Sequence, residues 1–236
     1  MGCKVLIKFN IMIIQKIKSH QSLSDNEFNS IYPLSIQALS PRHWTPVEVA
    51  KKASQFLCYK DGLKVLDAGS GAGKFCMIGA ATQPSCTFYG IDFREKLIHL
   101  SNKLKERYNI SNVQYIRDNL MNVNFTDYDV VYFFNSFHEK IDDSAVIDYN
   151  SKVSYVLYRR YMTNFFLKLC KMPIGTRVVT YHTLDFCVPN SYTKVKTLTD
   201  GHLKFYVKVD ENDNEIISSR ITEQINRYMF SNSTYQ

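Results

Sequence analysis

The chain has 236 residues, 45% of them hydrophobic and 22% charged, which is the composition of a soluble globular protein with a sizeable core. Its formal net charge of +7 permits an acidic partner without requiring one, because the lysines are spread along the chain and form no basic tract. No apolar run is long enough to span a membrane. The six cysteines show neither a Cys-x-x-Cys pair nor a zinc spacing with histidine, so we expect a cytoplasmic protein without a metal site.

The N-terminal 45 residues are predicted to be an extension that precedes the folded domain. Its last part, residues 31–46, contains prolines and aromatic side chains that are unusual in a featureless linker. Thr45 precedes Pro46 and a helical pattern, so it is a good candidate for a helix N-cap. A second interpretation stays open, in which the segment folds over a bound ligand as a lid and brings Trp44 and Thr45 to it.

Residues 64–81 predict a buried strand, a tight glycine turn and the start of a helix. Glycines suit this turn because the backbone reverses sharply there and a ligand comes closer than a Cβ would permit. An ordinary strand-to-helix turn is the alternative. Asp67 lies two residues before the first glycine, where its carboxylate would repel a pyrophosphate. The acid therefore favours S-adenosylmethionine, which carries a sulfonium and an ammonium, over NAD.

A second strand is predicted over residues 87–91, and it ends at Asp92 before a helical pattern over 93–108. Nucleotide-binding Rossmann folds place at this position a carboxylate that accepts hydrogen bonds from ribose hydroxyls. Aspartate is also a good helix N-cap, and both roles fit Asp92.

Residues 128–134 form a nearly continuous apolar run, as expected of a central parallel strand that is covered on both faces. Ligands of open α/β sheets bind at the carboxyl ends of such strands, which places residues 135–139 at the mouth of a site. Asn135 can present its side-chain carbonyl to an incoming amine. His138 can remove a proton or can be a solvent-facing loop residue.

The C-terminal part predicts a long helix over residues 153–172 and a strand over 177–182, with His182 at its carboxyl end as a candidate for the acceptor pocket. Two further strands flank Asp200-Gly201, which is a strong hairpin signal. Residues 211–236 are a polar tail to which we assign no function.

Four of these segments are similar, in the same order, to the motifs of the class I S-adenosylmethionine-dependent methyltransferases: residues 65–73, 89–92, 113–120 and 128–135. The resemblance implies a methyltransferase domain over 46–210 with a Rossmann-like, doubly wound α/β fold. Its seven-stranded sheet would be mostly parallel, with a C-terminal antiparallel hairpin. The resemblance further implies contacts with S-adenosyl-L-methionine for a set of residues at the strand ends and in the lid: Trp44, Thr45, Asp67, Gly69, Ser70, Gly71, Gly73, Asp92, Phe93, Asp118, Asn119 and Asn135.

Within that set, Asp118 would meet the adenine amine and Asn135 the methyl group. Asn135 and His138 are the candidate catalytic residues. Residues 134–137 also resemble the Val-Asn-Asn-Phe segment of the non-SET histone-lysine methyltransferases, but Ser136 replaces an asparagine and no long basic tail is present. Residues 135–138 partly resemble the Asn/Asp-Pro-Pro-Tyr/Phe motif of amino-directed methyltransferases, without its two prolines.

The expected reaction is in-line transfer of a methyl group to an unidentified acceptor, which is a small molecule or a protein, with nucleic acid not excluded. Nitrogen is weakly favoured, because a neutral amine needs orientation but no base. Two alternatives stay open, namely a cofactor-binding Rossmann module without transfer activity and an NAD-dependent oxidoreductase. Patterns in the sequence do not predict the oligomeric state.

Overall fold

The computed structural model describes residues 12–19, 21–38, 44–134, 155–211 and 223. The chain divides into two compact units. The first comprises the residues up to 123 together with 128–134, and the second comprises 124–127 and the residues from 135 onward. Among the described helices, none combines the length and the apolar character that a membrane span needs.

The first unit contains six helices and four strands within the described residues. These are α1 (12–18), α2 (Asp25–Asn29), α3 (Leu34–Gln37), α4 (Val47–Leu57), β1 (Lys64–Ala68), α5 (Lys74–Thr82), β2 (Thr87–Asp92), α6 (Glu95–Arg107), β3 (Val113–Arg117) and β4 (Val130–Phe134). β1 pairs in parallel with β2 on one side and with β4 on the other, and β2 pairs in parallel with β3. β4 has a continuous apolar sequence, as expected of a strand that is covered on both faces, and the last four residues of β1 are likewise buried although they include Asp67.

The helix α5, which follows the glycine turn after β1, lies in the core of the first unit. All nine residues of α5 are buried, in agreement with its almost wholly apolar sequence. The ring of Phe75 in this helix stacks on Tyr132 of β4, with 3.8 Å between centroids and 10° between planes. Phe75 also meets the edge of Phe88 in β2 at 6.0 Å. These aromatic contacts fix the start of α5 against the strands that flank it.

The second unit contains α7 (Tyr155–Cys170), β5 (Arg177–Tyr181), β6 (Tyr192–Leu198) and β7 (Leu203–Lys208). β7 pairs antiparallel with both β5 and β6. The turn between β6 and β7 includes Asp200 and Gly201, so the predicted hairpin is confirmed. The middle of β6 is exposed, carries two lysines and has an irregular register between Lys194 and Lys196, which are features that keep an edge strand from pairing with another chain.

A buried lysine holds the end of α7 in the second unit. Lys208 is 2% exposed, and its Nζ donates to the carbonyl oxygens of Cys170 at 2.5 Å and Met172 at 2.8 Å. Carbonyl groups at the end of a helix have no partner within the helix. The lysine supplies donors and a positive charge at the end where the helix dipole is negative.

The seven described strands form one sheet in the order β3-β2-β1-β4-β5-β7-β6. This order, with parallel pairs in the first unit and antiparallel pairs in the second, confirms the predicted α/β fold, a mostly parallel seven-stranded sheet with antiparallel C-terminal strands. The direction of the strand order reverses between β1 and β4. In open α/β sheets, ligands bind at the carboxyl ends of the strands that flank such a reversal.

Candidate functional site

The glycine turn begins the candidate site, and its three glycines have different functions. Gly69, Gly71 and Gly73 all have left-handed backbones, with φ of 87°, 54° and 78°. A Cβ at Gly73 would lie 2.5 Å from the ring of Tyr115, whose hydroxyl donates to the Gly73 carbonyl at 2.9 Å. Gly73 is therefore required by packing. A Cβ at Gly71 would meet nothing within 4 Å, so Gly71 is the position at which a ligand can approach the backbone.

Ser70 lies between these glycines and faces the protein. Its Oγ is buried and has no hydrogen-bond partner among the described residues. The side chain covers Gly90 of β2, where a Cβ would come within 2.9 Å of it. Backbone N–H groups of both Gly69 and Ser70 donate to the carbonyl of Ile91 at 2.9 Å, which ties the turn to the end of β2.

Asp92 joins the end of β2 to the glycine turn. Its side chain is 1% exposed, and its Oδ2 accepts a hydrogen bond from the Gly71 N–H at 3.0 Å. The same carboxylate is held by Arg94. The backbone N–H and the Nε of Arg94 both donate to Oδ1 at 2.9 Å, and its Nη2 donates to Oδ2 at 3.2 Å. This ion pair was not predicted, although a basic residue two positions after the terminal acid of the strand could have indicated it.

Asp67 is buried at the end of β1. The thiol of Cys76 in α5 donates to its Oδ2 at 3.3 Å. Burial raises the pKa of Asp67 to about 7, the Cys76 thiol opposes this increase, and the nearby charge of Asp92 adds to it. Asp67 also lies opposite Tyr132 in the register of β1 and β4. The group is thus a carboxyl that titrates near neutral pH at the point where the strand order reverses.

Asp118 and Asn119 follow β3 and lie next to the end of β2. The Asp118 N–H donates to the Asp92 carbonyl at 3.2 Å. The Oδ1 of Asp118 accepts hydrogen bonds from the Asn119 N–H at 2.6 Å and from Asn122 Nδ2 at 2.9 Å. Phe93 extends from the other side of Asp92, where its side chain is 45% exposed. The guanidinium of Arg94 lies 5.0 Å from the centre of this ring.

Thr45 and Trp44 are both buried within the first unit. Thr45 Oγ1 lies 2.7 Å from the hydroxyl of Tyr132. This contact corrects the N-cap interpretation of Thr45, because Pro46 is the N-cap of α4 and no side-chain cap is present there. The first N–H of the helix, on Val47, donates instead to the Asp25 carboxylate at 3.0 Å. An acid from α2 thus supplies a stronger acceptor than the Thr45 hydroxyl would.

Trp44 covers the first residue of α5. Its ring packs on Tyr32 at 4.5 Å, and the Nζ of Lys74 lies 5.6 Å from the Trp44 ring centre and 5.6 Å from that of Phe28. The Lys74 side chain is 4% exposed and pairs with Asp25 at 2.5 Å. Burial lowers the pKa of Lys74, and the Asp25 carboxylate opposes this decrease. The cation beside the glycine turn therefore binds the N-terminal segment.

The candidate catalytic residues Asn135 and His138 lie outside the described residues. The predicted strand over 177–182 ends at Tyr181, and His182 follows β5 in the second unit with an exposed side chain and a left-handed backbone with φ of 49°. Its ring lies 4.2 Å from that of His202. The ring of His182 is only partly desolvated; this partial burial lowers its pKa, and the neighbouring His202 adds to the decrease.

Comparison with known proteins identifies the domain that contains this geometry. The methyltransferase-domain family matches residues 59–168, which include the glycine turn, Asp67, Asp92 and Asp118. The match supports the predicted S-adenosylmethionine-dependent methyltransferase over this part of the chain. No curated protein matches it.

The methyltransferase shares its fold with solved structures at low sequence identity. An RNA methyltransferase from Salinibacter ruber in complex with S-adenosyl-L-homocysteine has a TM-score of 0.51 at 16% identity, over 73% of this chain and 97% of that one. TrmN from Thermus thermophilus has a TM-score of 0.52 at 15% identity, over 72% and 50% of the two chains. The putative methyltransferase yhhF from Escherichia coli has a TM-score of 0.50 at 11% identity, over 72% and 89%. At these identities the likeness shows the fold alone.

The side chains at the strand ends of the methyltransferase fit its cofactor. Asp67 is the last residue but one of β1, Asp92 ends β2 and Asp118 directly follows β3, which are neighbouring parallel strands. The backbone at Gly71 faces open space. Carboxylates suit ribose hydroxyls and the cationic groups of S-adenosylmethionine, whereas they would repel a pyrophosphate. Among the described cations near these strand ends, Lys74 is paired with Asp25, Arg94 with Asp92 and Arg117 with Glu95.

Proposed function

We propose that the methyltransferase binds S-adenosylmethionine across the carboxyl ends of β1, β2 and β3 and methylates a nitrogen acceptor. One observation is the main support for the proposed cofactor site. The buried Asp92 carboxylate, at the tip of β2, accepts a hydrogen bond from the Gly71 N–H at 3.0 Å, at the point of the turn that is open to a ligand. A ribose that lies against Gly71 would therefore have an acceptor for its hydroxyls beside it.

The adenine end of the site would lie beside Asp92. Asp118 is positioned there by the hydrogen bond from its N–H to the Asp92 carbonyl at 3.2 Å. We assign Asp118 and Asn119 to the adenine amine, and the half-exposed ring of Phe93 to a face of the base. Gly69, Ser70 and Gly73 act through the turn itself, because their contacts shape the backbone that the nucleoside meets.

The methionine end would lie near Asp67, Thr45 and Trp44. Asp67 supplies a buried carboxyl that attracts the ammonium and the sulfonium. Thr45 lies beside Tyr132, which is the register partner of Asp67, so the N-terminal segment reaches the same strand ends. We assign Thr45 and Trp44 to the lid of this part of the site.

When bound, the cofactor supplies an activated methyl carbon that the lone pair of the acceptor attacks as the sulfur leaves. The protein contributes by orienting the acceptor and by excluding water from it. An amine that arrives neutral needs no base, and the side-chain carbonyl of Asn135 is suited to orient its N–H. We retain His138 as a candidate to remove the proton. The acceptor can be a small molecule or a protein, and nucleic acid stays a candidate.

Calorimetric titration tests the cofactor site. We expect micromolar binding of S-adenosylhomocysteine and none of NAD to the wild-type protein. Asp92→Asn, which keeps the volume of the side chain, should weaken binding at least about tenfold because it loses charge-assisted acceptors. Asp61→Asn removes an exposed acid and should bind like the wild type. Equal affinity in Asp92→Asn and the wild type would contradict the site.

Methyl transfer itself requires a second experiment. The protein is incubated with methyl-labelled cofactor and separate pools of amines, proteins and nucleic acids, and the labelled atom is identified by NMR. A labelled nitrogen supports the proposal, and a labelled oxygen contradicts its acceptor part. Cofactor binding without a labelled product in any pool would favour the alternative of a binding module that lacks transfer activity.

A further inference from the structure

We propose that Arg94 determines the affinity for the cofactor, because its guanidinium occupies the carboxylate that the ribose must use. The inference rests on the proposed cofactor site and adds to it a residue that competes with the ligand. It follows from the hydrogen bonds that Asp92 makes in this structure.

The Asp92 carboxylate already has a full set of donors. Oδ1 accepts the Arg94 N–H and Nε, both at 2.9 Å, and Oδ2 accepts the Gly71 N–H at 3.0 Å and Arg94 Nη2 at 3.2 Å. A carboxylate offers about four lone-pair positions to donors. The side chain is only 1% exposed, which leaves no open face for a further donor. Ribose hydroxyls can bind Asp92 only if a present donor leaves.

The guanidinium is the donor that can leave. The N–H groups of Gly71 and Arg94 belong to the backbone of the glycine turn and of the N-cap residue of α6, so they are fixed by the fold. The guanidinium ends a side chain with several rotatable bonds, which is 9% exposed, and supplies the other two hydrogen bonds. It also lies 5.0 Å from the Phe93 ring, which can retain the cation after it separates from Asp92.

Cofactor binding is therefore an exchange at one carboxylate. Two hydrogen bonds from a cationic guanidinium are replaced by hydrogen bonds from two neutral hydroxyls, which supply donors to the carboxylate but no counter-charge. The apparent affinity is reduced by the fraction of molecules in which Arg94 still covers Asp92. Removal of the guanidinium should thus tighten binding, which is the opposite of what a residue that contacts the ligand favourably would show.

The test is Arg94→Met, which retains an unbranched apolar side chain and removes the donors. We expect S-adenosylhomocysteine to bind about tenfold more tightly, through a faster association rate with a similar dissociation rate. Arg94→Lys keeps the charge but cannot donate two parallel hydrogen bonds to the carboxylate. Its affinity for S-adenosylhomocysteine should lie between those of the wild type and Arg94→Met. Lys51→Met, which breaks the surface ion pair with Glu48, is the matched control and should bind like the wild type.

A measurement on the wild-type protein provides an independent test that does not depend on how the variants fold. In the free protein the Arg94 Nε–H should give an NMR signal that exchanges slowly with water, and saturation with S-adenosylhomocysteine should make its exchange fast. Persistence of slow exchange in the saturated protein would overturn the inference, as would weaker or unchanged binding by folded Arg94→Met. If Asp92→Asn loses binding in those experiments, the cofactor site stands and only the role of Arg94 fails. If neither the wild type nor Arg94→Met binds, both proposals fail.

Discussion

The hydroxyl groups of Thr45 and Tyr132 lie 2.7 Å apart, although 87 positions separate the two residues in the chain. Both side chains are buried, and the Tyr132 ring stacks on Phe75 at the start of α5. The contact therefore connects the segment before α4 to a central strand and, through it, to the helix that follows the glycine turn. Its loss should be measurable in stability before any ligand is added.

Thr45→Val, which keeps the shape of the side chain, should lower the free energy of unfolding by about 1 kcal/mol. Tyr132→Phe should have a similar effect, and the double variant should lose less than the sum of the two because both remove the same contact. Chemical denaturation measures all three. Thr193→Val, at an exposed position of β6, should stay within about 0.5 kcal/mol of the wild type. Strictly additive losses would contradict a direct interaction.

Removal of Asp25 and removal of Lys74, which form an ion pair, should lower the free energy of unfolding by different amounts. Asp25→Asn keeps an acceptor for the Val47 N–H but leaves an ammonium that is 4% exposed without a counter-charge, so we expect a loss of roughly 3 kcal/mol. Lys74→Met leaves a carboxylate that is 45% exposed and can be hydrated, so we expect about 1 kcal/mol or less. Urea denaturation measures both losses of stability. A larger loss in Lys74→Met than in Asp25→Asn would contradict the burial of the Lys74 ammonium.

Asp67 should make the free protein less stable as the pH rises. Its pKa is raised from 3.8 to about 7 by burial, so between these values the folded state binds a proton that the unfolded state has released. The free energy of unfolding should therefore fall from about pH 4 to 7, by at most ~1.4 kcal/mol per pH unit from this group. Asp67→Asn should lack this contribution, and Asp61→Asn should retain it. Parallel stability curves for Asp67→Asn and the wild type would contradict the shift.

The same carboxyl should couple proton release to binding of the cationic cofactor. A ligand cation favours ionised Asp67, so the affinity for S-adenosylmethionine should increase from about pH 6 to 8 and a proton should be released near neutral pH. Calorimetry in buffers of different ionisation enthalpy measures that proton. S-adenosylhomocysteine, which lacks the sulfonium charge, should show a smaller increase. Equal pH dependence in Asp67→Asn would assign the proton to another group.

Alanine at two glycines of the turn should separate folding from binding. At Gly73 the new Cβ would lie 2.5 Å from the Tyr115 ring in a left-handed backbone, so we expect Gly73→Ala to lose several kcal/mol or to fail to fold. At Gly71 the Cβ meets no atom, so Gly71→Ala should lose only about 1–2 kcal/mol from its backbone conformation. It should fold yet bind S-adenosylhomocysteine poorly. Normal binding by Gly71→Ala would remove this position from the site.

In the second unit, Lys208→Met should destabilise α7 at its C-terminal end. The variant removes the donors to the carbonyls of Cys170 and Met172, and we expect a loss of roughly 2–3 kcal/mol. Lys171→Met changes an exposed lysine next to the same helix end and should change stability by less than about 0.5 kcal/mol. Hydrogen exchange at the last turn of α7 locates the effect. Equal losses in the two variants would contradict a specific contact.

The strands and turns of this fold could be predicted because their signals are local. An apolar run predicted β4, Asp200-Gly201 predicted the hairpin, and the glycine pattern predicted the turn between β1 and α5. Asp92 was predicted for the same reason, since it directly ends a strand that follows the turn.

The contacts that complete the site join residues that are distant in the chain or depend on a side-chain conformation. Asp25 and Lys74 are 49 positions apart, and no periodicity connects them. Arg94 is near Asp92 in the chain, but its pairing with that acid depends on a rotamer. The N-cap prediction for Thr45 was wrong because an acid from another helix took the Val47 N–H. The spacing of residues predicts which face of a helix or strand a side chain occupies. It does not predict which of several acceptors binds a given N–H.

The carboxylate of Asp25 accepts both Lys74 Nζ and the Val47 N–H, and so it serves the beginnings of two helices at once. A fragment that began at residue 46 would keep these two helices and lose the carboxylate that binds the start of each. A fragment that began at residue 59, where the family match starts, would lose α4 as well. Phe28 and Trp44, which cover the Lys74 ammonium, would be lost from both fragments. We expect that the smallest piece of this chain able to fold autonomously begins before Ser24, whose side chain caps α2.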